Sequence, residues 1–387
     1  MPAYGSAMRI VTGLLVSGSL LATQNASARP QYESAAPIAY MVDMASGAVL
    51  FDKDSRRKIA PASMAKMMTT YVVFDLVTKA KLKPETKFKV RPETWQAWNN
   101  TGSTMFLKPN EQVSVTDLLH GLVTLSGNDA AMVLAEGISG NETAFTKQMN
   151  ATAQKLGMKD SHFGTANGWP DEGRTLTTAR DLAVLGARTI QDFPLLYREY
   201  YGQPAFRWNN VTQPNRNPIL GKIAGADGVK TGHTDQAGYC FTGTAEQNGR
   251  RIMMVVAGLD SMNARANESI QLMQWGFNAW RAQPLYKAGR IVARLPVQLG
   301  SESRIAVIAP RNLALALPAK DAPRYKLLVR YNGPIKSPFK KGTQVAQLVA
   351  KFSDGTEQIM PLVAAHSVAE TEFFGRAWNG LKSLVGA

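Results

Sequence analysis

Between Met64 and Leu76 the apolar positions leave almost no polar face: Met64, Met67, Met68, Tyr71, Val72, Val73, Phe74 and Leu76 crowd one short stretch. A helix patterned this way has no side for water, so it is predicted to run through the middle of a domain. Ahead of it, Ile38 to Asp43 and Ala48 to Asp52 are short apolar segments around Ala45-Ser46-Gly47, a β-hairpin pattern. Lys79 to Lys83 and Pro84 end the helix, and Phe88 to Trp98 opens an irregular region. Thr116 and Asp117 start a helix carrying Leu118, Leu119, Leu122, Val123 and Leu125. It stops at Ser126-Gly127-Asn128, and a second helical pattern resumes at Asp129 through Ala130, Met132, Val133, Leu134 and Ala135. The tripeptide therefore sits on a tight connection between two helices, although Gly-Asn is also ordinary turn chemistry.

A further helix is predicted from Thr177 to Ile190, and Asn209 to Pro218 reads as loop. Asp227-Gly228 then turns into Val229-Lys230-Thr231-Gly232-His233, and strand patterns follow at Tyr239 to Thr244 and Ile252 to Gly258, joined at Asn248-Gly249. The continuous apolar run at Met253 to Ala257 suits a sheet covered on both faces. A long helix from Asn263 to Arg281 closes the domain. From Pro284 the texture changes. Ile291 to Leu299, Arg304 to Ile308, Tyr325 to Tyr331, Thr343 to Phe352 and Glu357 to Val363 are strand-like runs, which predicts a small all-β sandwich domain. At the end, Ser367-Val368-Ala369-Glu370 matches a capping box, and Phe374, Ala377, Trp378, Leu381, Leu384 and Val385 form an apolar stripe. Such a helix, with interior charges, is expected to lie in a membrane interface. Packing on its own domain is the competing reading.

Composition narrows the possibilities. The 387 residues are 45% hydrophobic with a formal net charge of +15, enough for a large domain and a smaller one. The positive excess is spread along the chain without a long basic run, which argues against nucleic acid as partner and for anionic substrates or an anionic membrane surface. Arg9, the apolar stretch Ile10 to Ala22 and Ala26-Ser27-Ala28 form a signal-peptide pattern, so an exported protein beginning at Arg29 is expected. Cys240 is the single cysteine; it reads as a buried small hydrophobe. Four scattered histidines without paired cysteines give no support for zinc, and no cofactor is expected.

The candidate chemistry lies at the start of the apolar helix. Ser63 and Lys66 are three residues apart, so in a helix's first turns both side chains share one face. A serine hydroxyl is a weak nucleophile until a base takes its proton, and a lysine in apolar surroundings can be that base. Alone the pair is common. It acquires weight from Ser126-Gly127-Asn128 and Lys230-Thr231-Gly232, which follow in order.

With these three motifs, His233-Thr234, Arg265-Ala266-Asn267-Glu268-Ser269 and Phe373-Phe374-Gly375-Arg376-x-Trp378, the chain resembles the low-molecular-mass penicillin-binding proteins that act as serine-type D-alanyl-D-alanine carboxypeptidases. The resemblance covers nearly the whole length. It implies an α+β fold, with helices around a five-stranded antiparallel sheet, then the β-sandwich and the amphipathic helix. The expected divisions are a signal peptide at 1–28, a catalytic domain at 29–284, a β-domain at 285–366 and a membrane-anchoring helix at 367–387. It implies that Ser63 attacks the carbonyl between the last two D-alanines of a peptidoglycan stem peptide, with Lys66 as base, Ser126 relaying a proton and Asn128 holding Lys66 and the substrate amide. Lys230 adds positive field and Thr231 binds the terminal carboxylate, while Gly232 leaves room for the peptide along the strand edge. The amides of Ser63 and His233 form the oxyanion hole, and Arg265 is a second carboxylate contact. β-Lactam antibiotics would acylate Ser63, and the protein would work at the periplasmic face of the bacterial inner membrane. A β-lactamase and a non-catalytic cell-wall binding module are the alternatives on this scaffold. The first is disfavoured by glycine at position 127, where class A β-lactamases have aspartate, and by the lack of a glutamate partner for deacylation.

Overall fold

The computed structural model describes residues 8–11, 29–320 and 323–370. The chain divides into two compact units, one of Tyr32–Met44 and Val49–Phe277, the other of Met1–Gln31, Ala45–Ala48 and Asn278–Ala387.

The first unit is built on five antiparallel strands, β1 (Ile38–Asp43), β2 (Val49–Lys53), β3 (Ala226–Thr234), β4 (Gly238–Gln247) and β5 (Arg250–Leu259), ordered β2-β1-β5-β4-β3. Asn248 and Gly249 both take positive φ, as a two-residue turn between β4 and β5 requires. Ile252 through Val256 are wholly buried, so this sheet is covered on both faces as its apolar run implies. β3 ends the strand order and presents the open edge.

Eight helices surround the sheet: α1 (Lys66–Thr78), α2 (Pro92–Trp98), α3 (Val115–Thr124), α4 (Asn128–Ser139), α5 (Glu142–Leu156), α6 (Ala179–Asp192), α7 (Pro194–Tyr200) and α8 (Met262–Asn278). Every residue of α1 from Lys66 to Phe74 is buried. Its aromatic end packs into a cluster, with Phe74 against Phe193, Tyr200 and Tyr201 and Tyr71 edge-on to Phe193. Side chains of that size each stabilise the fold by roughly 1.5–3 kcal/mol through removal from water. α3 is capped by Ser114, whose hydroxyl accepts from the Asp117 amide at 3.1 Å; α6 is capped by Thr178, which accepts from the Asp181 amide at 3.1 Å.

Several helices depart from the sequence pattern for identifiable reasons. α2 lies within the stretch expected to be irregular, where Pro92 starts a single short helix. α5 was not expected, because its buried stripe of Phe145, Met149 and Ala153 is thin among polar residues. α7 is too short to show a period. α8 ends at Asn278 instead of Arg281, since Trp280 and Arg281 already pair with Pro318 and Leu317 in a ribbon.

The second unit holds a seven-stranded sheet and a two-stranded ribbon of Trp280–Tyr286 with Leu313–Pro318. Both contribute to a separate core that includes Leu295, Ile305, Val307, Leu315, Leu348, Met360 and Leu362. Within the expected leader, only Met8–Val11 is described, as a strand paired with Tyr325–Asn332. The capping box is corrected: Val368 bridges Phe339, Glu370 bridges Gly300, and the Ser367 hydroxyl accepts from the Lys341 amide at 2.9 Å. Residues 367–370 are thus bound into the β-unit, and the rest of the expected amphipathic helix lies outside the described residues. Among the described residues no helix is long and apolar enough to cross a membrane.

Candidate active site

Ser63 lies in a single 3₁₀ turn, Ala62–Ala65, and Lys66 is the first residue of α1. The expected pair therefore forms on a tighter turn than an α-helix, with the Lys66 Nζ donating to Ser63 Oγ at 2.8 Å. Ser63 is half-buried, whereas its neighbours Ala62 and Met64 are fully buried. Lys66 is 1% exposed and donates also to Asn128 Oδ1 and to the Asn167 carbonyl, both at 2.7 Å. Burial is the main cause that lowers its pKa to about 7; Asp129 opposes that shift and Arg216 adds to it. A neutral amine has two N–H groups and one lone pair. Asn128 Oδ1 and the Asn167 carbonyl can only accept, so when the ammonium gives up a proton these two keep its remaining N–H groups, and the lone pair replaces the hydrogen donated to Ser63.

The partners of Lys66 are fixed in turn. Asn128 opens α4, its Nδ2 donates to the Thr101 carbonyl at 3.0 Å, and its amide donates to the Ser103 carbonyl at 2.7 Å. Those contacts orient its Oδ1 toward Lys66. Asn167 is followed by Gly168 at φ 75°, where an added Cβ would fall 1.8 Å from the Ala62 carbonyl. Only glycine lets that segment lie on the Ser63 turn. Ser126 is buried between α3 and α4 with φ 65°, two residues before Asn128. No hydrogen bond within the described residues joins it to either active-site lysine.

The third motif runs along β3. Lys230 is buried, and its Nζ donates to the Thr231 carbonyl at 3.0 Å. Its pKa is pushed well down by burial first, then by Lys66, Arg216 and Arg265. Gly232 acts differently from the expectation: a Cβ there would meet the Pro61 carbonyl at 2.7 Å and Ala62 Cβ at 3.2 Å. The missing side chain brings the Ser63 turn against β3. It is this approach, more than space for a peptide, that requires glycine.

His233 and Arg265 share a platform that the sequence reading missed. The exposed His233 ring lies on Tyr239 with centroids 3.9 Å apart, and the Arg265 guanidinium stands 5.5 Å from the same ring. Arg265 is buried on α8 and its Nε has no hydrogen-bond partner among the described residues. Cys240, opposite Gly232 on β4, is buried, and burial pushes its thiol up to about 11, which disfavours the thiolate form. Arg216 was also missed. With Asn215, Asn217, Thr124, Lys230 and Thr231 it lines a small surface depression. Its signal, one arginine in an Asn/Pro loop, is too sparse to read from spacing.

The sequence profile described as D-alanyl-D-alanine carboxypeptidase matches residues 23–261, and that of the penicillin-binding protein 5 C-terminal domain matches residues 280–370. The chain belongs to the D-alanyl-D-alanine carboxypeptidase family. It is 34% identical to the D-alanyl-D-alanine carboxypeptidase DacC of Escherichia coli (strain K12) over 88% of this chain and 86% of the relative. The DacF enzyme of Bacillus subtilis (strain 168) is 29% identical over 93% and 92%. Among solved structures, penicillin-binding protein 5 from Haemophilus influenzae superposes with a TM-score of 0.74 at 33% identity, covering 88% of this chain and 99% of that one. Penicillin-binding protein D2 from Listeria monocytogenes, in an ampicillin-bound form, gives 0.56 at 30% identity over 64% and 99%. The protein is a serine D-Ala-D-Ala carboxypeptidase, a hydrolase of the cell wall with a penicillin-binding fold.

The depressed pKa of Lys66 has a definite sign in this carboxypeptidase. A base must be unprotonated to act, so the rate of Ser63 acylation by a labelled penicillin should rise with pH, bend near pH 7 and stay flat above it. Below the bend it should fall about tenfold per pH unit. The second-order rate of adduct formation across this range checks it.

Proposed function

We propose that Ser63 is the nucleophile, that Lys66 is its general base, and that the acyl-enzyme so formed releases the terminal D-alanine of a peptidoglycan stem peptide. The observation that carries this reading is the 2.8 Å approach of the Lys66 amine to Ser63 Oγ, with that amine fixed by two acceptors on its other sides.

The Ser63 proton passes to Lys66 as Oγ attacks the scissile carbonyl. The developing oxyanion is taken by the amides of Ser63 and His233, which belong to adjoining segments because Gly232 packs on the nucleophile turn. Ser126, able to donate and accept, gives its proton to the departing amine as the C–N bond breaks and regains one from Lys66, which leaves Lys66 neutral again. Thr231, Lys230 and Arg265 hold the terminal carboxylate, and the arriving negative charge raises the pKa of Lys230 toward its charged form. Asn128 holds the substrate amide as well as Lys66. Water then attacks the ester carbonyl as Lys66 takes its proton; the bond to Ser63 Oγ breaks, Lys66 returns a proton to that oxygen, and the shortened peptide leaves. β-Lactams acylate Ser63 by the same attack, as the ampicillin-bound relative suggests. No observation favours the β-lactamase alternative: Asp129, the acid whose field reaches Lys66, is enclosed by donors away from the nucleophile.

Export follows from the leader pattern, and peripheral attachment to the periplasmic face of the inner membrane follows from the apolar stripe beyond residue 370. The mature enzyme given a peptide ending in D-Ala-D-Ala should release D-alanine, with at least about a thousandfold loss in Ser63→Ala. Equal release by the two proteins would contradict the assignment. Deleting residues 371–387 should free the protein from anionic vesicles in a flotation assay without altering turnover of a small peptide.

A further inference from the structure

One buried carboxylate next to the middle motif has no part in the mechanism above. Asp129 accepts from Thr104 Oγ1 at 2.6 Å, from the Met105 amide at 3.0 Å, from the Leu107 amide at 3.2 Å and from its neighbour Ala130 at 2.9 Å. A carboxylate this far from water persists only where donors replace its hydration. Three of these four donor residues belong to the loop 101–107. That same loop supplies the Thr101 and Ser103 carbonyls that grip Asn128. A side chain at position 127 would compete for this space, since a Cβ on Gly127 would stand 2.9 Å from Asp129 Oδ1.

We propose that Asp129 is a positioning residue for the carboxypeptidase reaction, clamping the loop 101–107 onto the start of α4 and setting the electrostatic balance of the base. The middle motif then acts as four residues, Ser126-Gly127-Asn128-Asp129, and its glycine is the space the carboxylate occupies. This rests on the reading of Lys66 as general base.

The groups facing Lys66 are Asp129 from α4, Lys230 from β3 and Arg216 from the loop before it. Arg265 on α8 acts on Lys230 in the same direction as Arg216. Asp129 is the one negative charge in this set. Its carboxylate favours the ammonium form of Lys66, against burial and the other cations, and so keeps the amine basic enough to take a proton. Removing the charge lowers the amine's basicity further.

The experiment measures acylation of the full chain by a labelled penicillin as a function of pH. In Asp129→Asn the bend should move to lower pH by about one unit, with a plateau lower by about tenfold as Asn128 loosens. Thr104→Val keeps the charge and removes one donor. It should lower the plateau about threefold while the bend stays in place. An Asp129→Asn bend at the wild-type position, or a Thr104→Val plateau equal to wild type, overturns the proposal. A wild-type profile with no bend overturns the reading of Lys66 as base, and this proposal with it.

Discussion

The proposed chemistry of this protein depends on one lysine whose charged form is made costly by burial. An ammonium inside a protein is costly because water no longer solvates it, and the cost falls when the group gives up its proton. Lys66 is placed where that happens, in the first turn of a helix with no exposed face through Phe74. Two acceptors then decide which way the amine points. The nucleophile needs no triad of the Ser-His-Asp kind; burial does what a histidine's intrinsic pKa does elsewhere.

The rest of the unit brings three distant segments to this amine, and it does so largely by omission of side chains. Gly232 lets β3 touch the nucleophile turn, Gly168 lets the Asn167 carbonyl reach Lys66, and Gly127 leaves space for Asp129. The cations on the far side, Lys230 and Arg265, are poor in counter-charges of their own. In the proposed mechanism a substrate that ends in a carboxylate supplies the missing charge.

How much of this was legible beforehand follows from length scales. The buried character of α1, the hairpin at Asn248-Gly249 and the placement of Ser126 to Asn128 between two helices are local patterns, and local patterns survive in one dimension. That Ser63, Lys66 and Asn128 meet was legible because they lie in short, ordered motifs. Asn167, Tyr239 and Arg216 were not, because each contributes a carbonyl, a ring face or a field with no periodicity of its own. The contact of Gly232 with the Ser63 turn was not legible for the same reason: a glycine announces that something comes close, and only the fold says what. The capping box at Ser367 to Glu370 failed because strand bridges to Phe339 and Gly300 claim those residues first.

The central claim concerns a protonation state, and the most direct measurement is of that proton. With lysine side chains labelled at Cε, NMR titration of the uninhibited enzyme should show a resonance moving with a midpoint near pH 7, and Lys66→Arg should remove it. If the Lys66 resonance instead titrates near the ordinary lysine value of about 10.4, the amine is charged at working pH and the account of Ser63 activation is wrong.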